Sequence, residues 1–204
     1  MLLSRCGAPA ARQPTTPSTR RAGLAPETLA GEFVGTELNE LGATHALCIT
    51  HAQGQIQLED RCNGTASTFT GQTENLFADG SDIPTYVSTV SSKLRQDPSI
   101  DSVITLDASF AVAVQKQLEQ DRSTAKIATY AFNSDLIPLL QNGKVAFTID
   151  QQPYLQGYMG IDSPWLYNRN KGVLGAQQPI ATGPVLVDQN NIGELTPYIS
   201  EGIR

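Results

Sequence analysis

The chain is poor in the residues that carry most metal and nucleophile chemistry. Its 204 residues include two histidines and three cysteines. His45 and His51 are too few and wrongly spaced for a zinc site of the His-Glu-x-x-His kind. His51 falls at a predicted strand end, where a solvated loop histidine is the plainer reading and a cleft-lining one the alternative. Cys6, Cys48 and Cys62 are odd in number and irregular in spacing, which is neither a disulfide framework nor a zinc site. Cys48 lies in a predicted strand and Cys62 at the start of a predicted helix. They are read as two separate, partly buried thiols, with a bridge in an oxidising compartment as the alternative.

Other absences narrow the function classes. No Gly-x-Ser-x-Gly elbow occurs, so a serine hydrolase lacks its nucleophile turn. Neither a Gly-x-x-x-x-Gly-Lys-Ser/Thr loop nor a Gly-x-Gly-x-x-Gly turn is present to cradle phosphates or a dinucleotide. The acidic pairs Glu59-Asp60 and Asp79 with Asp82 have the residue types of a glycosidase acid and base, but solvated turns and helix caps account for them more simply. The reading is a protein that is not an enzyme and needs no cofactor or metal. A net charge of -6 and a pI near 4.8 argue against a nucleic-acid partner, since phosphates demand a basic surface. No run approaches the roughly 18 apolar residues of a membrane helix, so direct membrane insertion is not expected. Asn63-Gly64-Thr65 matches a glycosylation sequon, which means nothing without secretion.

The segment Met1 to Gly23 carries Arg5, Arg12, Arg20 and Arg21 among Ser, Thr, Pro and Ala, with no acidic residue. It has no apolar core of the length a secretory signal requires. Its composition is loosely that of an organelle transit peptide, and a disordered leader or a misplaced start gives the same look. Residues 1–25 are therefore set apart from the fold.

From Pro26 onward the pattern is regular. A helix opens at Pro26-Glu27-Thr28, with Leu29, Phe33, Val34, Leu38 and Leu41 on one face, and Gly42 closes it. His45 to Thr50 reads as a buried strand and Glu59 to Phe69 as a helix. Thr73 to Phe77 is a weaker strand, and Asp82 a candidate N-cap for a helix through Arg95. Strands follow at 102–106, 126–131 and 145–149, with helices at 109–119 and 135–140 between them. This βα alternation with short connections predicts an α/β fold, a parallel sheet flanked by helices. A helix over 154–167, a loop over 168–178, a short strand at 185–187 and a frayed 193–204 complete the expectation.

Parallel sheets bind ligands beyond the carboxyl ends of their strands. Arg61, Asp107, Asn133 and Gln151 lie at or just after such ends and are the candidate ligand-binding residues. Strand-end loops are polar in any case, so position alone also allows four unrelated residues. The sharpest segment is 145–158, VAFTIDQQPYLQGY, in which an apolar, β-branched run ends in an Asp, two amides and a proline before a helical pattern.

That segment closely resembles the second interlobe crossover of the periplasmic sugar-binding proteins, the ribose-binding branch of the type I periplasmic-binding fold. Two further patches are similar to the family: Gly42 to Ile49 with Leu58 to Gly64, and Asp101 to Leu118. The third patch runs from Ala131-Phe132-Asn133 through the crossover to Thr182-Gly183-Pro184-Val185-Leu186-Val187. Together they span roughly 27–190. The resemblance implies one complete Rossmann-like lobe over 26–150. Residues 151–204 would hold the crossover, a helix and a last strand belonging to an incomplete first lobe. It implies sugar contacts at Arg61, Asp107, Asn133 and Gln151, although the family usually has Asp where Asn133 stands and an amide or small residue where Asp107 stands.

A sugar hydroxyl both donates and accepts, so Arg61 would donate in a fixed fork, Asp107 would accept, and Asn133 and Gln151 would do both. Phe132 and Tyr154 could stack on a sugar face, with structural packing the simpler role for each. By resemblance the chain is a monosaccharide-binding component of an ABC-type importer, periplasmic or extracellular, with a permease as its partner. The alternatives are the effector-binding core of a repressor, for which no helix-turn-helix is seen, and a truncated fragment that keeps the fold without the function.

Overall fold

A computed structural model describes residues 27–204 of the chain. The leader reading for 1–25 lies outside the described residues. The element order is α1 (Glu27–Glu40), β1 (His45–Thr50), α2 (Ile56–Thr68), β2 (Gln72–Phe77), α3 (Ile83–Gln96), β3 (Ser102–Thr105) and α4 (Ala108–Asp121). It continues with β4 (Lys126–Tyr130), α5 (Leu136–Gln141), β5 (Phe147–Asp150), α6 (Pro153–Asn170), β6 (Val185–Asp188) and α7 (Ile192–Ser200). The strands form one six-stranded sheet in the order β2-β1-β3-β4-β5-β6. The first five are mutually parallel, and β6 runs antiparallel to β5. The sheet is thus mostly parallel, and the expected α/β class holds.

The strands β3 and β5 are buried throughout, as they must be when helices cover both faces. Alternation along β1 divides its side chains between two cores. Leu47 and Ile49 pack with Tyr86 and Val90 of α3, Phe110, Val114 and Leu118 of α4, Leu136 and Leu140 of α5, and Ile192 of α7. Ala46 and Cys48 face Ala30, Val34 and Leu38 of α1 and Leu58 and Cys62 of α2. The expected caps form where the sequence offered them. Asp82 accepts from Thr85 N at 3.1 Å, and Asp79 accepts from Ser81 N at 2.9 Å, so these acidic groups serve turns and a helix start.

The pairing of α1 with α2 rests on glycine. A Cβ on Gly31 would stand 2.1 Å from Arg61 O, and one on Gly64 would stand 2.2 Å from Thr28 O. Only residues without a side chain allow the two backbones to approach so closely.

Several expectations need correction. Cys48 and Cys62 are not separate thiols: they form a disulfide with Cα atoms 5.8 Å apart, and both are fully buried. The strand turns Cys48 toward the inner face of α2, where Cys62 sits, and this separation suits a bridge. Spacing in sequence carries no information on that geometry. The tail is not frayed from 193: Ile192–Ser200 is a helix whose Ile192 is buried in the core. Arg204 lies folded back, its Nε 2.8 Å from Asp150 Oδ2. Within 151–204, β6 joins the same sheet as β1 to β5 and α7 belongs to the same core. The loop expected at 168–178 begins later, because α6 runs to Asn170 and Leu174–Gln177 form a 3-10 turn.

Helix α6 differs from the others. None of its residues is buried, and Tyr158, Ile161 and Trp165 are 56%, 76% and 59% exposed.

Candidate ligand-binding site

The ends of β1, β3, β4 and β5 deliver four groups to the same rim of the sheet. Arg61 sits in the second turn of α2, after β1, and each of its guanidinium nitrogens donates one hydrogen bond, which leaves a second N–H on each terminal nitrogen. Its Nε donates to Glu27 Oε2 at 2.6 Å, one terminal nitrogen to Leu106 O at 3.1 Å, and the other to Gln151 Oε1 at 3.0 Å. Gln151 Nε2 donates to the same Glu27 oxygen at 2.8 Å. The guanidinium carbon lies 4.4 Å from the centroid of the Tyr130 ring, which adds a cation–π attraction in a partly desolvated place. Its side chain is 11% exposed.

The backbone at Gln151 is clamped from two directions. Gln151 O accepts from Gln156 Nε2 at 2.7 Å and from Thr182 Oγ1 at 3.0 Å, while Gln152 donates through its side chain to Thr182 O. Gln152 holds φ at 54°, in the left-handed region, a conformation that a non-glycine residue adopts at some cost. Below it the buried Asp150 accepts from Gln152 N at 2.7 Å and from Arg204. The crossover that carries Gln151 is therefore fixed on both sides.

Asp107 follows Leu106, whose carbonyl Arg61 contacts. One carboxylate oxygen, Oδ1, caps α4 by accepting from Ser109 N at 2.8 Å. Its charge is felt nearby: burial first, then Asp107, raises the Tyr86 hydroxyl well above the usual tyrosine range. His51, which the sequence suggested as a solvated loop histidine, instead packs its ring 4.8 Å from that of Phe110. Burial lowers its pKa, Asp107 opposes that, and Arg61 adds to it. Asn133 follows β4 and spends Oδ1 on Leu136 N at 2.8 Å, and its amide nitrogen has no hydrogen-bond partner among the described residues.

Arg61 and Gln151 are thus brought into direct contact. Asp107 follows Leu106, whose carbonyl Arg61 touches, and Asn133 accepts from the first residue of α5, beyond the neighbouring strand; neither is hydrogen-bonded to Arg61 or Gln151 among the described residues. Sequence reasoning missed Glu27 and Tyr130. Tyr130 is the last residue of β4, and alternation along that strand was the available signal. Glu27 was read only as a helix start, and nothing in sequence announces that α1 crosses α2 closely enough to bring it to Arg61. Among the stacking candidates, Phe132 packs partly buried against the core, as expected. Tyr154 does not pack and is 53% exposed. Burial, moderated by the positive Arg61, raises the Tyr130 hydroxyl above the usual tyrosine range. Among the described residues it has no hydrogen-bond partner.

A layered α/β lobe with polar groups gathered at the carboxyl rim of a parallel sheet is the architecture of a small-molecule binding protein. Residues 22–169 match the family model described as periplasmic binding protein domain, and the chain belongs to that family. It is 42% identical to a solved carbohydrate transporter from Acidothermus cellulolyticus 11B in complex with myo-inositol, with a TM-score of 0.83 over 88% of this chain and 63% of that one. It is 29% identical over 180 residues to the xylose/arabinose-binding protein XylF of Sulfolobus acidocaldarius, a match covering 83% of this chain and 44% of the relative. A glucose-galactose binding protein from Geobacillus stearothermophilus shares the fold at 20% identity, with a TM-score of 0.72 over 91% of this chain and 66% of that one. The chain therefore spans less than two thirds of the length of these relatives. Those relatives are binding and transport proteins by name. No helix among the described residues is long and apolar enough to cross a membrane.

Proposed function

We propose that the chain binds a monosaccharide or cyclic polyol, as the substrate-binding component of an ABC-type sugar importer, and that it makes and breaks no bond. The observation that carries this reading is the Arg61 guanidinium, desolvated over Tyr130 and held in register with Gln151 by a shared Glu27 carboxylate. A fork of fixed donors beside an amide that offers both hydrogen-bonding types suits vicinal hydroxyls. Asp107 retains an acceptor oxygen and Asn133 a donor nitrogen for the same ligand. Holding these groups in place before the ligand arrives reduces the ordering cost of capture.

The division of the chain follows from the same reading. Residues 27–150, with β6 and α7, form the lobe that presents these four groups, and α6 belongs to the other lobe. The bare flank of α6 supports this, since a helix without buried residues is made to be covered. The site of action is the periplasm or the cell exterior, and a transporter permease is the partner that takes over the sugar. The buried disulfide fits that compartment.

The test is a melting-temperature screen of the full chain against pentoses, hexoses and inositols. At least one should raise the melting temperature by several degrees, and Arg61→Ala should abolish that rise. A flat response to the whole panel at millimolar concentration would instead mark a fold without ligand.

A further inference from the structure

A second cluster lies toward the amino-terminal end of the sheet, remote from the carboxyl rim. One ring nitrogen of His45 and one carboxylate oxygen from each of Glu74 and Asp97 all stand within 4.8 Å of one another. The fold brings them together from three elements. His45 opens β1 and pairs with Gln72 of β2, so Glu74, two residues further along β2, projects from the same face. Asp97 ends α3, which packs on that face.

The hydrogen bonds determine which nitrogen of His45 is free. Ser99 Oγ donates its one proton to Asp97 Oδ1 at 2.6 Å. The same Asp97 oxygen also accepts from Ser99 N at 3.2 Å, so it serves as an acceptor toward Ser99. Ser99 Oγ also lies 2.8 Å from His45 Nδ1 and can only accept from it. The proton of the neutral ring is therefore on Nδ1, and Nε2 presents a bare lone pair. His45 is 4% exposed, and Nε2 has no hydrogen-bond partner among the described residues. A buried acceptor left unpaired is costly and calls for an explanation.

We propose that His45 Nε2, Glu74 and Asp97 bind one divalent transition-metal ion of the zinc class. Imidazole with two carboxylates suits zinc, and three protein ligands leave a fourth position for water. A tetrahedral site with bonds of about 2.1 Å separates its donors by about 3.4 Å, so closing on one ion takes an inward shift of the side chains. Half-buried Glu74 and Asp97 have the freedom to make it. The Asp97–Ser99–His45 chain supplies the outer hydrogen bond that orients a ligating imidazole and fixes its tautomer. Lys93 Nζ, 2.7 Å from Glu74 Oε1, neutralises one carboxylate when no ion is bound, and the second oxygen of Glu74 remains for the metal. This site is independent of the sugar reading.

The experiment is calorimetric titration of the untagged full chain with zinc sulfate at pH 7.5, with calcium and magnesium as comparators. The expected result is one zinc per chain, at least tenfold weaker binding in Glu74→Gln, none in His45→Gln, and no signal from the comparators. Glu74 lies on the surface, so its variant remains folded even if His45→Gln does not. Nitrogen-15 spectra of the histidine rings add a readout that unfolding cannot mimic: zinc should move the Nε2 resonance of His45 and leave that of His51 in place. Absence of zinc binding overturns the proposal. So does Glu74→Gln binding within twofold of the parent, which would place the ion elsewhere, on His51 or Cys6.

Discussion

Arg61 and Gln151, 90 residues apart in the chain, meet at 3.0 Å, with the guanidinium donating to the amide oxygen. Both lean on Glu27, so the three groups form a closed triangle whose members hold one another. Removal of any member leaves partly buried polar atoms unpaired.

Gln151→Leu keeps the volume of the side chain and removes its hydrogen bonds to Arg61 and Glu27. Sugar binding, measured by calorimetry on whichever sugar stabilises the parent, should weaken at least tenfold. The same variant should lose about 1–3 kcal/mol of stability, seen as a lower urea midpoint. Unchanged affinity would remove Gln151 from the ligand shell while leaving its structural role intact.

Gly31→Ala is expected to reverse a familiar trend. Alanine in a helix interior is ordinarily favoured over glycine by about 1 kcal/mol. Here the added methyl would stand 2.1 Å from the carbonyl oxygen of Arg61, a backbone atom that cannot swing away. Destabilisation of at least about 1–3 kcal/mol is expected, together with weaker sugar binding, because the displaced segment carries Arg61. Denaturant melts of the two proteins decide this.

Reduction should matter for stability. The Cys48–Cys62 bond closes a loop with a sequence separation of 14, for which chain entropy gives about 3 kcal/mol. Urea unfolding with and without a reducing phosphine should show that difference, and alkylation after unfolding without reductant should leave the peptides around 48 and 62 joined.

The pH dependence should report His51. Burial depresses its pKa below the ordinary histidine value of 6.5, so the unfolded chain binds the proton more readily. Stability from this source is complete above pH 6.5 and declines as the pH falls toward the depressed value in the folded state. The His51→Asn variant should show a shallower loss of melting temperature between pH 7 and pH 5 than the parent. Equal slopes would mean that burial of His51 is not felt energetically.

Much of this architecture was readable beforehand, because it rests on local periodicity. The apolar run ending in Asp150-Gln151-Gln152-Pro153 signalled a strand, its polar end and the following helix, and β1, β3, β4 and α3 to α5 were placed within a few residues. What escaped detection depends on through-space geometry. The reversed direction of β6, the Cys48–Cys62 bond and the return of Arg204 onto Asp150 are contacts between distant segments that no spacing encodes. Within the site, Arg61 and Gln151 could be placed because strand ends are polar and face one rim. Glu27 could not, since its position depends on how closely two helices approach at Gly31 and Gly64. The exposed Tyr154 was misjudged for a related reason: local apolar character says a face is to be covered, without saying by what.

The covalent link between the middle of β1 and α2 reaches further than stability. Cys62 is the residue next to Arg61, so the bond anchors the guanidinium's own helix to a buried strand of the sheet. α2 cannot slide or rotate without stretching that tether. The chain therefore loses much of the mobility of Arg61 while folding, and under the proposed function a ligand arriving later would meet a claw that is already set.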